Sequence, residues 1–275
     1  MAAMPHISRL FLSLLAALSL AATAQAQDKP GPRVAGKIEL AEGITQIEGK
    51  DKRARRPLVG ENVYEGDSII TSGRSELHLN MADGASLIVR ENSRITLTEY
   101  VADGGDKDRS LIELTRGALR SITGWIGQYN RSNYRVRTPL VTIGVRGTDH
   151  EPTHLEPGDP RGEPGSYDKV NEGAAFMETK QGVVDVPANA AVFQALSAEG
   201  LPQLLAAIPA FFKPGRFEQQ FVQRAQVLRN AIPQKRLDRL EFLRRQGLVP
   251  PEAQKALDQV KPLEDKRKEL LRWLR

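Results

Sequence analysis

From about Val34 to Phe193, apolar and polar positions alternate with a period of two. Leu77, Leu79 and Met81 fall on one side of this pattern, and Glu76, His78 and Asn80 on the other. Successive side chains of a strand leave opposite faces, so the alternation predicts strands. Asp83-Gly84 interrupts it, and Leu87 and Val89 resume it. Asp-Gly between two alternating runs predicts a tight hairpin, because a type I′ turn needs positive φ at both central residues. Further strands are predicted at Arg94–Thr98, Leu111–Leu114, Tyr134–Arg137, Val141–Val145, Ala175–Thr179 and Val183–Val186. Glycines fall between many of these runs. Short strands with regular turn signals predict a mainly β domain over residues 27–195: an antiparallel β-sandwich, a roll or a short β-helix-like fold.

Two stretches depart from the alternation. Glu151 to Tyr167 carries four prolines and three glycines. That composition predicts an exposed loop between two strands. From Leu196 onward the period lengthens. Phe217, Phe221, Ala225 and Leu228 recur at helical spacing, and Leu237, Leu240 and Leu243 continue after Pro233. Leu257, Val260, Leu263, Leu270, Leu271 and Leu274 suggest a final helix pair, with Pro251-Glu252 as its start. Residues 196–275 are therefore expected to form a C-terminal α-helical region with narrow apolar stripes.

Charge sharpens that division. Gly215 to Arg275 holds 15 Lys+Arg and 8 Asp+Glu, a net of +7, whereas the whole chain carries +5. The rest therefore carries −2, and the basicity belongs to the C-terminal helices. Such faces suit an envelope protein, an acidic polysaccharide or an anionic membrane surface. The plainer reading, a solvated helix face packed on the β domain, is the preferred one.

The N-terminus sets the compartment. Arg9 precedes the apolar run Leu10 to Ala22, and Ala24-Gln25-Ala26 follows. This order reads as a cleavable signal peptide over residues 1–26. The run is shorter than the ~20 apolar residues a membrane span needs. Val192 to Phe212 is apolar too, but Glu199, Gly200, Pro202 and Pro209 interrupt it. A periplasmic protein without a membrane span after cleavage is expected, and export argues against a nucleic-acid partner. The chain has no cysteine, which excludes disulfides, thiolate metal sites and thiol redox chemistry.

One motif points to catalysis. His150-Glu151-Pro152-Thr153-His154 is a literal H-E-x-x-H. On a helix this spacing places two imidazoles on one face for zinc, with the Glu as general base. Pro152 argues against a helix there. His6 falls in the signal and His78 in a strand, so a third ligand would have to be a carboxylate such as Glu172 or Glu178. A zinc-dependent hydrolase using His150, Glu151 and His154 is thus the alternative reading. No nucleophile-elbow, phosphate-loop or dinucleotide-binding signature occurs. Arg146, Trp125 and Trp273 are expected to serve structure. No catalytic, cofactor-binding or metal residue is assigned.

The string Tyr134 to Thr148, with its Thr138-Pro139 step and closing Val145-Arg146-Gly147-Thr148, resembles the FecR family. Glu65-Gly66-Asp67 through Thr71-Ser72-Gly73, Ala82-Asp83-Gly84-Ala85-Ser86-Leu87, Glu91-Asn92-Ser93-Arg94-Ile95 and Glu113 to Arg120 resemble that family's other segments, in order. The resemblance covers roughly residues 34–195. It implies an extracytoplasmic β domain with protein or envelope contacts. Family members named for ferric citrate regulation add a cytoplasmic region and a membrane span, and relay a signal from an outer-membrane receptor to a sigma factor. The signal-like segment here departs from that plan. The expected function is therefore a non-catalytic binding, scaffolding or signal-related module of the cell envelope. A soluble signalling regulator is a further alternative.

Overall fold

The computed structural model describes residues 31–249, and Arg33 to Val249 belong to one compact unit. The N-terminal half contributes β1 (Val34–Glu42), β2 (Thr45–Glu48), β3 (Ala54–Arg55), β4 (Asn62–Tyr64), β5 (Ser68–Thr71), β6 (Glu76–Met81), β7 (Ser86–Val89) and β8 (Arg94–Val101). The long β9 (Arg109–Ile122) follows, then the short helix α1 (Trp125–Tyr129). Next come β10 (Tyr134–Arg137), β11 (Thr142–Val145), β12 (Asp149–Leu155), β13 (Gly165–Glu172), β14 (Ala174–Thr179), β15 (Gly182–Pro187), β16 (Ala190–Ala195) and β17 (Gln203–Leu204). Helices α2 (Glu218–Asn230) and α3 (Ile232–Arg245) close the described chain.

The strands form two sheets. Sheet A runs β4-β1-β6-β7-β9-β12-β13-β16-β17 and is antiparallel throughout. Sheet B runs β3-β2-β5-β8-β9-β10-β11-β14-β15, and only its β9/β10 pair is parallel. The fourteen residues of β9 belong to both: Arg109–Arg116 pairs in sheet B, and Gly117–Ile122 in sheet A. The strand changes sheet at Gly117, whose φ is +87° and which lies against Ser93. A Cβ here would collide with Ser93 Oγ and sit 2.5 Å from Ser93 Cα. Only glycine fits the bend.

Between the sheets lies a single large core. Sheet A supplies Ile38, Leu77, Leu79, Leu87, Val89 and Leu119, and sheet B supplies Ile47, Ile69, Ile95, Leu97, Ile112 and Ile143. This inner-face alternation is what two facing sheets require. A hairpin joins β6 to β7 at Asp83–Gly84 as predicted, but only Gly84 has positive φ, at +78°, so the turn is not the type I′ expected. Strands β8, β10, β11, β14 and β15 fall where the alternation placed them.

Sheet A is covered on its outer face as well. His78 lies against Phe221 of α2, and Ile232 of α3 meets the Gly84 turn. Leu240 of α3 packs on Gly104. A second apolar cluster joins Leu155, Tyr167 and Ala191 to Phe211 and Phe212. Burial on both faces explains why β7 and β12 are buried along their whole length. It also explains why Glu76 and His78, on the polar side of the β6 alternation, are buried.

Two expectations are corrected. The loop expected over Glu151–Tyr167 is much shorter. Residues 151–155 belong to β12 and 165–167 to β13, so only 156–164 connect them. Pro152 is accommodated because the β12/β9 ladder skips residues 151 and 152, where a missing N–H would be felt. The helical pattern expected from Leu196 begins at Glu218. Residues 196–217 instead contribute β17 and the Phe211–Phe212 anchor. The predicted signal segment and the expected final helix pair, with Trp273, lie outside the described residues. No helix among the described residues is long and apolar enough to cross a membrane.

Candidate functional site: two polar networks on sheet A

Strand β12 places the H-E-x-x-H residues on opposite faces. His150 and His154 point inward, and Glu151 points outward. Four residues of strand separate the two imidazoles by about 13 Å. The helix that would bring them together around a metal does not form here. No cluster of three or more potential metal ligands occurs among the described residues.

Each histidine enters a closed inner network instead. His150 Nδ1 lies 3.1 Å from Asp168 Oδ1, and its Nε2 lies 3.1 Å from the Tyr134 hydroxyl. The Tyr134 hydroxyl donates to Ser121 Oγ at 2.8 Å. His150 and Asp168 have no solvent exposure. Burial pushes the Asp168 carboxyl above its ordinary range, against the opposing pull of His150. Burial also raises the Tyr134 phenol. His154 Nδ1 meets Ser166 Oγ at 3.0 Å, and Ser166 in turn meets Thr138 Oγ1 at 2.7 Å. Burial holds the His154 imidazole below its usual value, towards the neutral form. Ser121, His150 and Asp168 thus lie together, yet Ser121 meets His150 only through Tyr134, and the set is buried.

Similar closed pairs anchor the turns. The Tyr100 hydroxyl donates to Asp83 Oδ1 at 2.6 Å, and Trp125 Nε1 donates to Asp108 Oδ2 at 2.7 Å. Trp125 is therefore a buried packing residue, as expected. Arg146 reaches only Asp185, at 3.4 Å on the surface.

The outer network is ionic. The sheet register sets Arg120, Glu151 and Lys169 in one row across β9, β12 and β13. Lys169 Nζ lies 2.9 Å from Glu151 Oε1, and Arg90, just past β7, lies 2.7 Å from Glu151 Oε2. Arg120 grips Asp149 through Nε and Nη2 at 2.8 and 2.6 Å. Asn171 donates to both Asp149 and Glu151. Glu218, the first residue of α2, closes the network from above. It accepts from Arg90 Nε and Nη2 at 3.0 and 2.8 Å, and from Arg120 Nη1 at 2.9 Å. Burial pushes Glu151 up, but Arg90, Asn171 and Lys169 outweigh it and bring the carboxyl down to about 2. Burial likewise opposes the ionised form of Glu218, and Arg90 and Arg120 outweigh it, so that group is also lowered.

Sequence reasoning assigned none of these outer residues. Glu151 entered only through the zinc motif, with a different role. Lys169 opposite Glu151 was the readable signal, since the two sit symmetrically about the 156–164 turn. Arg90, Arg120 and Glu218 come from remote segments, and only the sheet order unites them.

The molecule is thus a two-sheet β domain with polar networks on both faces of one sheet and a helical cover. Residues 67–160 match the family described as FecR protein. The match spans β5 to β12 and includes Arg90, Arg120, His150 and Glu151. Among solved structures, the chain is similar to a candidate anti-sigma factor from Parabacteroides distasonis ATCC 8503, seen in crystals at 1.65 and 2.50 Å resolution. Identity is 13%, the TM-score is 0.41, and the match covers 52% of this chain and 60% of that one. The chain therefore spans less than two thirds of that structure. A cell surface anchoring domain matches 22% of this chain and 82% of its own length, at 18% identity and a TM-score of 0.22. No curated protein matches the sequence.

Proposed function

We propose that this protein is a non-catalytic FecR-domain module of the periplasm that works by binding envelope proteins, in scaffolding or in signal relay. One observation carries the reading. His150, Glu151 and His154 of the H-E-x-x-H string are all engaged in internal networks, and the C-terminal region carries cations with no ion-pair partner among the described residues. Lys213, Lys235 and Arg244 have no ion-pair partner among the described residues, and Arg245 has only Glu241 at 3.8 Å. Val227, Phe242 and Leu248 stand exposed on or beside the same helices. Basic and apolar groups side by side suit a protein partner better than a purely polar polysaccharide. The family resemblance supports a role in signalling.

The test is cell fractionation combined with site-specific photo-crosslinking from Val227 and Phe242 of the tagged chain. The reading expects a periplasmic product shortened by about 26 residues, the length of the signal read from the sequence, with discrete protein adducts at these positions. A full-length cytoplasmic product without adducts would overturn it.

A further inference from the structure

Glu218 is held as a ligand is held. Its side chain is fully buried, two guanidinium groups close on its carboxylate, and the Gly215 N–H adds a fourth hydrogen bond at 2.9 Å. Arg90 presents the planar two-nitrogen fork that suits a carboxylate. Without Glu218, this part of the sheet has three cations, Arg90, Arg120 and Lys169, and three carboxylates, Asp149, Glu151 and Glu76, the last accepting from the Arg216 N–H beside the site. Glu218 is the one carboxylate that Arg90 and Arg120 share.

Few apolar contacts hold α2; its other ties are the ion pairs Arg224–Glu39 and Arg229–Glu172. Apart from Glu218, α2 buries only Phe221 and Ala225, and it has no side-chain cap at its N-terminus. Buried ion pairs contribute little net stability, because desolvation offsets their attraction. The same arithmetic makes such a contact cheap to open: charges that lose one another regain water. A face made of leucine would not separate so easily.

We propose that Arg90 and Arg120 form a carboxylate receptor on the outer face of sheet A, that Glu218 fills it in cis, and that an acidic segment of a partner protein takes its place when α2 lifts. The inference deepens the binding-module reading and names the surface and the chemistry of its partner. Displacement has a second consequence: α2 carries Phe221 away from His78 and presents its apolar stripe.

The test uses purified full-length protein and a hexaglutamate peptide as probe, with affinity read by calorimetry and α2 protection by hydrogen exchange. Glu218→Gln keeps the shape of the side chain but gives up its charge. It is expected to bind the peptide at least tenfold more tightly than the wild type, with faster exchange over 218–230 in the complex. Arg120→Met added to Glu218→Gln is expected to abolish that gain. Equal affinity of wild type and Glu218→Gln would overturn the proposal. So would a gain that survives Arg120→Met, which would place the peptide on the surface arginines of α2 and α3. Unchanged α2 protection in the complex would overturn it too. Should Glu218→Gln fail to fold, Glu218→Asp, shorter by one methylene, carries the same comparison with a smaller gain expected. Because the assay does not depend on compartment, its failure is separable from that of the envelope reading.

Discussion

Gly117 and Gly60 share a φ of +87° but differ in their surroundings, which makes them a matched pair for measuring the β9 bend. Nothing lies within 4 Å of the position a Cβ would take at Gly60. Gly60→Ala should therefore cost only the left-handed backbone, about 1–2 kcal/mol. At Gly117 the added methyl would collide with Ser93 and lie 2.7 Å from the Asn92 carbonyl oxygen. Overpacking of that kind adds about 1–3 kcal/mol, for a total of ~2–5 kcal/mol. In a domain of this size each kcal/mol lowers Tm by roughly 2–4 °C. Urea unfolding of both variants beside the wild type gives the difference directly, provided the slope is unchanged. Ser93→Ala added to Gly117→Ala should restore only part of the loss, since the backbone atoms of Asn92 and Ser93 remain in the way. Equal destabilisation of the two alanine variants would refute the argument that β9 is sterically confined where it changes sheet.

Three further outcomes follow from the networks. Glu151→Gln should destabilise the protein at neutral pH by on the order of 3 kcal/mol, from a carboxyl lowered from 4.5 to about 2. Because the folded value is the lower one, this contribution is present above pH 4.5 and fades as pH falls toward 2, so the gap between variant and wild type should close over that window in acid titrations followed by circular dichroism. Trp125→Phe should cost roughly 1.5–3 kcal/mol in denaturant unfolding, by removing the donor to the buried Asp108 carboxylate. Purified protein should hold zinc well below one ion per chain by elemental analysis, and His150→Ala/His154→Ala should not change that content; stoichiometric zinc lost in the variant would revive the hydrolase alternative.

The β domain was legible wherever one face of a strand was apolar and a glycine marked its end. Tyr134–Arg137 is the clearest case, for its strand coincides with the predicted bounds. Strand β12 was hidden because Pro152 and the following prolines imitate a loop, and because its polar side chains are buried in networks rather than in oil. Pairing with β9 and β13 overrides that composition. Residues 196–217 misled in the opposite sense: their apolar residues pack at irregular intervals on Tyr167 and Ala191, without a helix. The outer network was unreadable for a topological reason. Arg90 and Glu218 are 128 positions apart, and nothing local to either announces the other. The zinc motif failed because spacing carries its meaning only on a helix. On a strand the same five residues send the histidines and the glutamate to opposite sides.

The passage of β9 through both sheets bears on how this protein can be dissected. The segment that matches the FecR family, 67–160, holds β9 and its immediate neighbours, so it looks self-contained. As an expressed fragment it would lack β1, the partner of β6, and β13, the partner of β12. It would equally lack β2 beside β5 and β14 beside β11. Four ladders would end in bare backbone edges, the template on which strands from other chains assemble. The unit that can be inherited and recognised is thus smaller than the unit that can fold, and a soluble fragment has to begin before Val34 and run at least through the helical cover.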